Sequence, residues 1–184
     1  DHLYVKIPDD ALAEAKKLLK GGSENCAGVA PVSNVPVKNW SAEKTADLVN
    51  KLKKEGYEII LFCGDGKFSD ALRGLVNNES MIIIDKLDFP VLTALISLCK
   101  IFIGVDTGLT HLAAAVNVAT IGLYGPTSGA IAGPYNRASA FVQTDVECSY
   151  YKPLSLFSPA EVIQECYRDG VCRLPMTNCV AVSY

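Results

Sequence analysis

"GVDTGLTHLAAA", residues 104–115, decides the fold. An apolar strand over 100–106 runs into Asp106, Thr107 and Gly108, and a helix starts at once, over 108–116. A strand that turns into a helix on a single loop is half of a β-α unit, and the same alternation runs along the rest of the chain. Strands are expected at 26–32, 58–64, 81–85, 118–125 and 138–144. Between them the spacing predicts helices over 40–56, 68–78 and 89–99. Ser41 is placed to cap the first of these and Gly56 to end it. A helix over 8–22 precedes the alternation, and a closing helix over 158–170 follows it, capped by Ser158.

The strands are near-continuous apolar runs rather than alternating ones. Strands covered on both faces look like that, and such coverage comes with parallel β-α-β units. The expectation is an α/β, Rossmann-like open parallel sheet with helices on both faces. Residues 1–25 are read as a linker and interdomain helix, 26–144 as the sheet domain, and 145–184 as a cysteine-containing tail.

Composition narrows the function classes. The 184 residues are 49% hydrophobic and 20% charged, with a net charge of −3. A nucleic-acid binder would carry a basic stripe, which this chain lacks. No window of 18 apolar residues offers a bilayer span. The chain opens on Asp1 without a signal-peptide layout, and reads as a piece of something longer. Of its seven cysteines, Cys26, Cys63 and Cys99 lie in or beside apolar runs, as small hydrophobes. Cys148, Cys166, Cys172 and Cys179 cluster near the end without a C-x-x-C spacing, which leaves reduced thiols, disulfides or a metal open. Reduced thiols in a cytoplasmic protein are the expectation.

In an open parallel sheet, ligands bind outside the carboxyl ends of the strands. Asp106 sits at such an end, and the next helix aims its free N–H groups at the same crevice, where phosphate binds readily. Gly108 lets an oxygen approach the backbone; Thr107 and Thr110 offer hydroxyls, and His111 can face the same anion. Asp106 would repel phosphate, so it is better placed to accept hydroxyls of an adjoining sugar. The plainer alternative has Asp106 capping the helix, Gly108 easing the turn and His111 half exposed. "PVSNVPVKNW" (31–40) opens on the same edge with Ser33 and Lys38, the latter placed to neutralise a leaving phosphate. "CGDGKFSD" (63–70) matches neither a Walker A loop nor G-x-G-x-x-G, and Asp65 there is either a ribose acceptor or a turn former. "YGPTSGAIAGPYN" (124–136) reads as a turn that caps a short helix, bordering the crevice.

Taken together, "KNW", "GVDTGLTHLAAA" and "GLYGPTSGAIAGPYN" resemble the C-terminal half of the glycosyltransferase family 9 heptosyltransferases, over most of residues 26–136. The resemblance implies a GT-B enzyme that moves heptose from ADP-heptose to the inner core of lipopolysaccharide. It implies that Lys38, Asp106 and His111 serve the donor sugar and phosphates. It further implies that Thr107, Gly108 and Leu109 hold the diphosphate, that Ser33 lies near a phosphate, and that Leu87 lies against adenine. The sequence lacks a D-x-D motif to hold a metal, which GT-B enzymes generally do not require, and neither a metal nor a nucleic-acid partner is expected. The acceptor would be met at the cytoplasmic face of the inner membrane. The family's other half, which carries the proposed base, is missing here, so this chain alone should bind donor poorly and transfer nothing. Two alternatives stand beside it: a non-catalytic nucleotide-binding module, and a GT-B enzyme using another nucleotide sugar.

Overall fold

A computed structural model describes residues 4–19, 25–64, 66–76 and 81–144. Six strands form one parallel sheet: β1 Cys26–Ala30, β2 Glu58–Phe62, β3 Met81–Ile84, β4 Ile101–Val105, β5 Ala119–Tyr124 and β6 Ala140–Gln143. Their order across the sheet is β3-β2-β1-β4-β5-β6. The helices are α1 Asp9–Leu18, α2 Ala42–Lys54, α3 Gly66–Arg73, α4 Phe89–Ser97, α5 Gly108–Ala115 and the short α6 Gly129–Ala132.

The pleat divides the apolar runs between two cores. On one face Cys26, Ala30, Ile60, Phe62 and Phe102 meet α1, α4 and α5 through Ala11, Ala15, Leu95 and Ala113. On the other, Ala27, Val29, Ile59 and Leu61 meet α2 and α3 through Ala46, Val49 and Leu72. Strands enclosed in this way have no solvent face to alternate with, which explains their composition. Each fully buried Ile, Leu or Val contributes ~1.5–3 kcal/mol over its exposed state. The open α/β sheet with helices on both faces is therefore as expected. Beyond that expectation, α1 packs against α4 and buries Ala15 completely.

Boundaries shift for local reasons. β1 stops at Ala30 rather than 32 because Pro31 has no N–H for the ladder; its carbonyl instead accepts Trp40 N–H at 2.8 Å. The 31–40 connection is not all irregular: Pro36–Lys38 form a 3-10 turn, with proline at its start. α3 begins at Gly66 and ends at Arg73, leaving Leu75 46% exposed beyond it. Ser41 does cap α2, its hydroxyl accepting Lys44 N–H at 3.3 Å, and Gly56 follows the helix at φ +83°. Cys26, Cys63 and Cys99 are buried thiols outside any disulfide. Burial, with Cys26 alongside, pushes the Cys99 thiol up to about 12, which suits a small hydrophobe. The closing helix over 158–170, the four C-terminal cysteines and the tail 145–184 lie outside the described residues.

Candidate active site

The strand order reverses between β1 and β4. From β1 the chain leaves through α2 on one face, and from β4 through α5 on the other. A crevice opens where such connections diverge, beyond the carboxyl ends of the strands. Here it is a cleft of about 950 Å³. Ser33, Lys38 and Asn39 line it from the first connection, Phe62, Cys63 and Gly64 from β2, and Asp106–Leu109 with His111 from β4 and α5.

At its floor lies an ion pair. Lys38 Nζ donates to Asp106 Oδ2 at 2.7 Å, with the two side chains only 10% and 12% exposed. The same Oδ2 accepts the Thr127 hydroxyl at 2.7 Å. Nε2 of the half-exposed His111 stands 3.7 Å from Oδ1. Burial works against the Asp106 charge, but His111, Lys38 and Thr127 outweigh it and hold the carboxyl at about 2. At 3.7 Å the imidazole is beyond hydrogen-bond length, so the two 2.7 Å contacts bear the greater share. The same buried charge, added to burial, pushes the Tyr124 phenol upward.

Thr107, not Asp106, caps α5: its hydroxyl accepts Leu109 N–H at 3.1 Å. Asp106 is thereby released from the capping alternative and committed to Lys38. Gly108 follows as the first helical residue and is exposed. A Cβ built there would meet nothing within 4 Å, so no protein neighbour requires glycine at this place. What the missing Cβ leaves open is an approach to the first amides of an eight-residue helix.

Lys38, Asp106, Thr107, Gly108, Leu109, His111 and Ser33 all line this one cleft. Ser33 is also bound into its own turn, its hydroxyl donating to Val35 O at 3.0 Å. Two expected residues stand elsewhere. Thr110 is fully buried, and its hydroxyl donates to Val105 O at 2.6 Å, over Gly104. It ties helix to strand and is not part of the cleft lining. Leu87 is half buried against the core, and Phe89, 63% exposed, stands at the cleft instead. Asp65 lies outside the described residues. Thr127 escaped sequence reasoning, because Gly-Pro-Thr already had an explanation as a turn. The signal was that β5 adjoins β4, which sends both connections to one edge.

Among the described residues there is no group of three His, Cys, Asp or Glu side chains that could hold a metal ion. Nor, among them, is any helix long and apolar enough to cross a membrane.

Comparison with known proteins agrees with the fold. The model of glycosyltransferase family 9 (heptosyltransferase) matches residues 3–153. Lipopolysaccharide heptosyltransferase 3 of Escherichia coli is 31% identical over 122 residues, covering 64% of this chain and 36% of that protein. The crystal structure of the family 9 glycosyl transferase from Veillonella parvula superposes with a TM-score of 0.72 at 22% identity, over 90% of this chain and 52% of that one. The E. coli heptosyltransferase WaaC with ADP superposes with a TM-score of 0.60 at 24% identity, over 72% of this chain and 42% of that one. The chain thus spans about a third to about half the length of these relatives.

Proposed function

Since the chain belongs to glycosyltransferase family 9, we propose that it is the donor-binding half of a heptosyltransferase that takes ADP-heptose and adds heptose to a lipopolysaccharide core. The observation that carries this is the meeting of the Lys38–Asp106 pair with the start of α5 in the crevice between β1 and β4. The α5 amides, Thr107 and Lys38 suit the two phosphates. Asp106 is a poor acceptor for sugar hydroxyls at Oδ2, which is already taken twice. Its Oδ1, with His111, faces the sugar side. The apolar wall that includes Phe62 and Phe89 suits the base.

In this reading an acceptor hydroxyl attacks the anomeric carbon, the bond from that carbon to the phosphate oxygen breaks, and ADP departs with the electron pair. A base from outside this chain takes the hydroxyl proton. This half lowers the barrier by holding the charge that grows on ADP. Preorganised donors of that kind are worth ~3 kcal/mol each. Through Oδ2, Asp106 keeps the Lys38 ammonium fixed and takes no part in the bond changes. No metal is required, and the work would be done in the cytoplasm at the inner membrane.

The test is titration of the complete gene product with ADP, UDP and ADP-heptose, followed by ADP release in the presence of core acceptor. ADP should bind and compete with ADP-heptose, UDP should not, and chelators should change nothing. Equal binding of UDP would point to another nucleotide sugar. Binding without ADP release would leave a nucleotide-binding module.

A further inference from the structure

Thr127 lies 21 residues beyond Asp106, on the connection after β5, yet its hydroxyl reaches Asp106 Oδ2 at 2.7 Å. That oxygen also receives Lys38 Nζ at 2.7 Å, while Lys38 has a second, longer contact to the Asp106 carbonyl at 3.4 Å. Two donors on one oxygen fix the carboxylate plane as well as its position. The loop carrying Thr127 is itself braced from the last strand of the sheet. Gln143 Oε1 accepts Gly129 N–H at 2.9 Å, and its Nε2 donates to Gly125 O at 3.1 Å. One side chain thereby clamps the loop on both sides of Thr127. Pro126, buried beside it, limits the backbone further.

We propose that Thr127 is a positioning residue of the donor site: it fixes the Asp106 carboxylate so that Lys38 is presented to the diphosphate, and Gln143 braces the loop that holds it. The inference deepens the reading of the cleft as an ADP-sugar site and rests on it for its effect on ligand. The groups facing Asp106 are Lys38 from the β1 connection, His111 from α5, Thr127 from the β5 connection and Tyr124 from β5 itself. Removing the Thr127 hydroxyl leaves Oδ2 to Lys38 alone and opens a rotation of the carboxylate that the native arrangement forbids. Lys38 then follows the carboxylate away from its place.

Thr127→Val is nearly isosteric and lacks the hydroxyl; Thr127→Ser keeps it. Two measurements separate positioning from mere stability. The first needs no ligand: NMR of the Asp106 side-chain carboxyl carbon, followed from about pH 6 to about pH 2.5, with melting temperature alongside. The native protein and Thr127→Ser should stay mostly charged to the bottom of that range, while Thr127→Val should protonate at distinctly higher pH. The second is calorimetric titration of the complete gene product with ADP, where Thr127→Val should bind about tenfold more weakly and Thr127→Ser about as well as the native protein. A Thr127→Val protein whose Asp106 titrates like the native one overturns the proposal, whatever happens to binding. If Asp106 responds as expected but ADP binds to none of the three proteins, Thr127 keeps its positioning role and the ADP-sugar reading fails.

Discussion

Replacing Lys38 by methionine keeps the apolar stem and removes only the charge that faces Asp106. In the native pair the atoms are 2.7 Å apart, at 10% and 12% side-chain exposure. The Asp106 carboxyl falls from 3.8 to about 2: burial opposes the fall, and His111, Lys38 and Thr127 drive it. At ~1.36 kcal/mol per tenfold this corresponds to at most ~2.4 kcal/mol, and screening in the open cleft reduces it to ~1–2 kcal/mol. The folded value lies below the unfolded one. The contribution is therefore complete above about pH 4 and fades as pH falls toward about 2. Without Lys38, burial meets less opposition, the carboxyl rises, and the gap closes. Lys38→Met should lose ~1–2 kcal/mol at about pH 7 and about half of that at about pH 3. Urea denaturation followed by circular dichroism at both pH values measures the two differences. A deficit that is equal at both, or larger in acid, would refute the assignment of Asp106 as a charge held by Lys38.

Other substitutions separate ligand contacts from structural ones. Gly108→Ala should leave stability unchanged or raise it by up to ~1 kcal/mol, since alanine suits a helix and its Cβ meets nothing. The same change should cost ~1–3 kcal/mol of ADP binding by calorimetry, because the methyl occupies the ligand's approach. Thr110→Val should do the reverse, losing ~1–2 kcal/mol of folding stability through the lost hydrogen bond to the Val105 carbonyl while ADP affinity holds. Gly104→Ala places a Cβ 2.5 Å from Thr110 Oγ1, so it should lower the urea midpoint by the equivalent of ~1–3 kcal/mol without touching the cleft.

The sheet could be read from the chain because its cause is local. Runs such as Ile59–Phe62 and Phe102–Val105 are apolar at every position, and only strands covered on both faces use that pattern. Helix starts were legible where a side chain makes them, as Ser41 does for α2. The cleft was legible in outline, since Lys38 and the 106–111 turn both sit at carboxyl ends of strands. What sequence could not supply was the partner of each group. Asp106 invited a sugar hydroxyl, yet a lysine 68 residues earlier takes its Oδ2. Thr110 shares a helical turn with Gly108, and by sequence alone it is assigned to the same ligand. A 3.6-residue period turns it instead onto Gly104, whose missing Cβ gives it room. Leu87 and Phe89 are two apolar residues on one connection. Which of them enters the core and which lines the cleft depends on how α4 seats against the sheet, a matter of tertiary packing.

The central claim, that a diphosphate settles at the start of α5 beside Lys38, is tested most directly by NMR. ADP is added to the labelled protein and the amide and lysine side-chain signals are followed, a readout that tolerates weak binding. The expected result is saturable shifts at Thr107, Gly108, Leu109 and the Lys38 ammonium, with AMP giving smaller ones. Shifts confined to other edges of the sheet, or none at those four residues at saturating ADP, would contradict it.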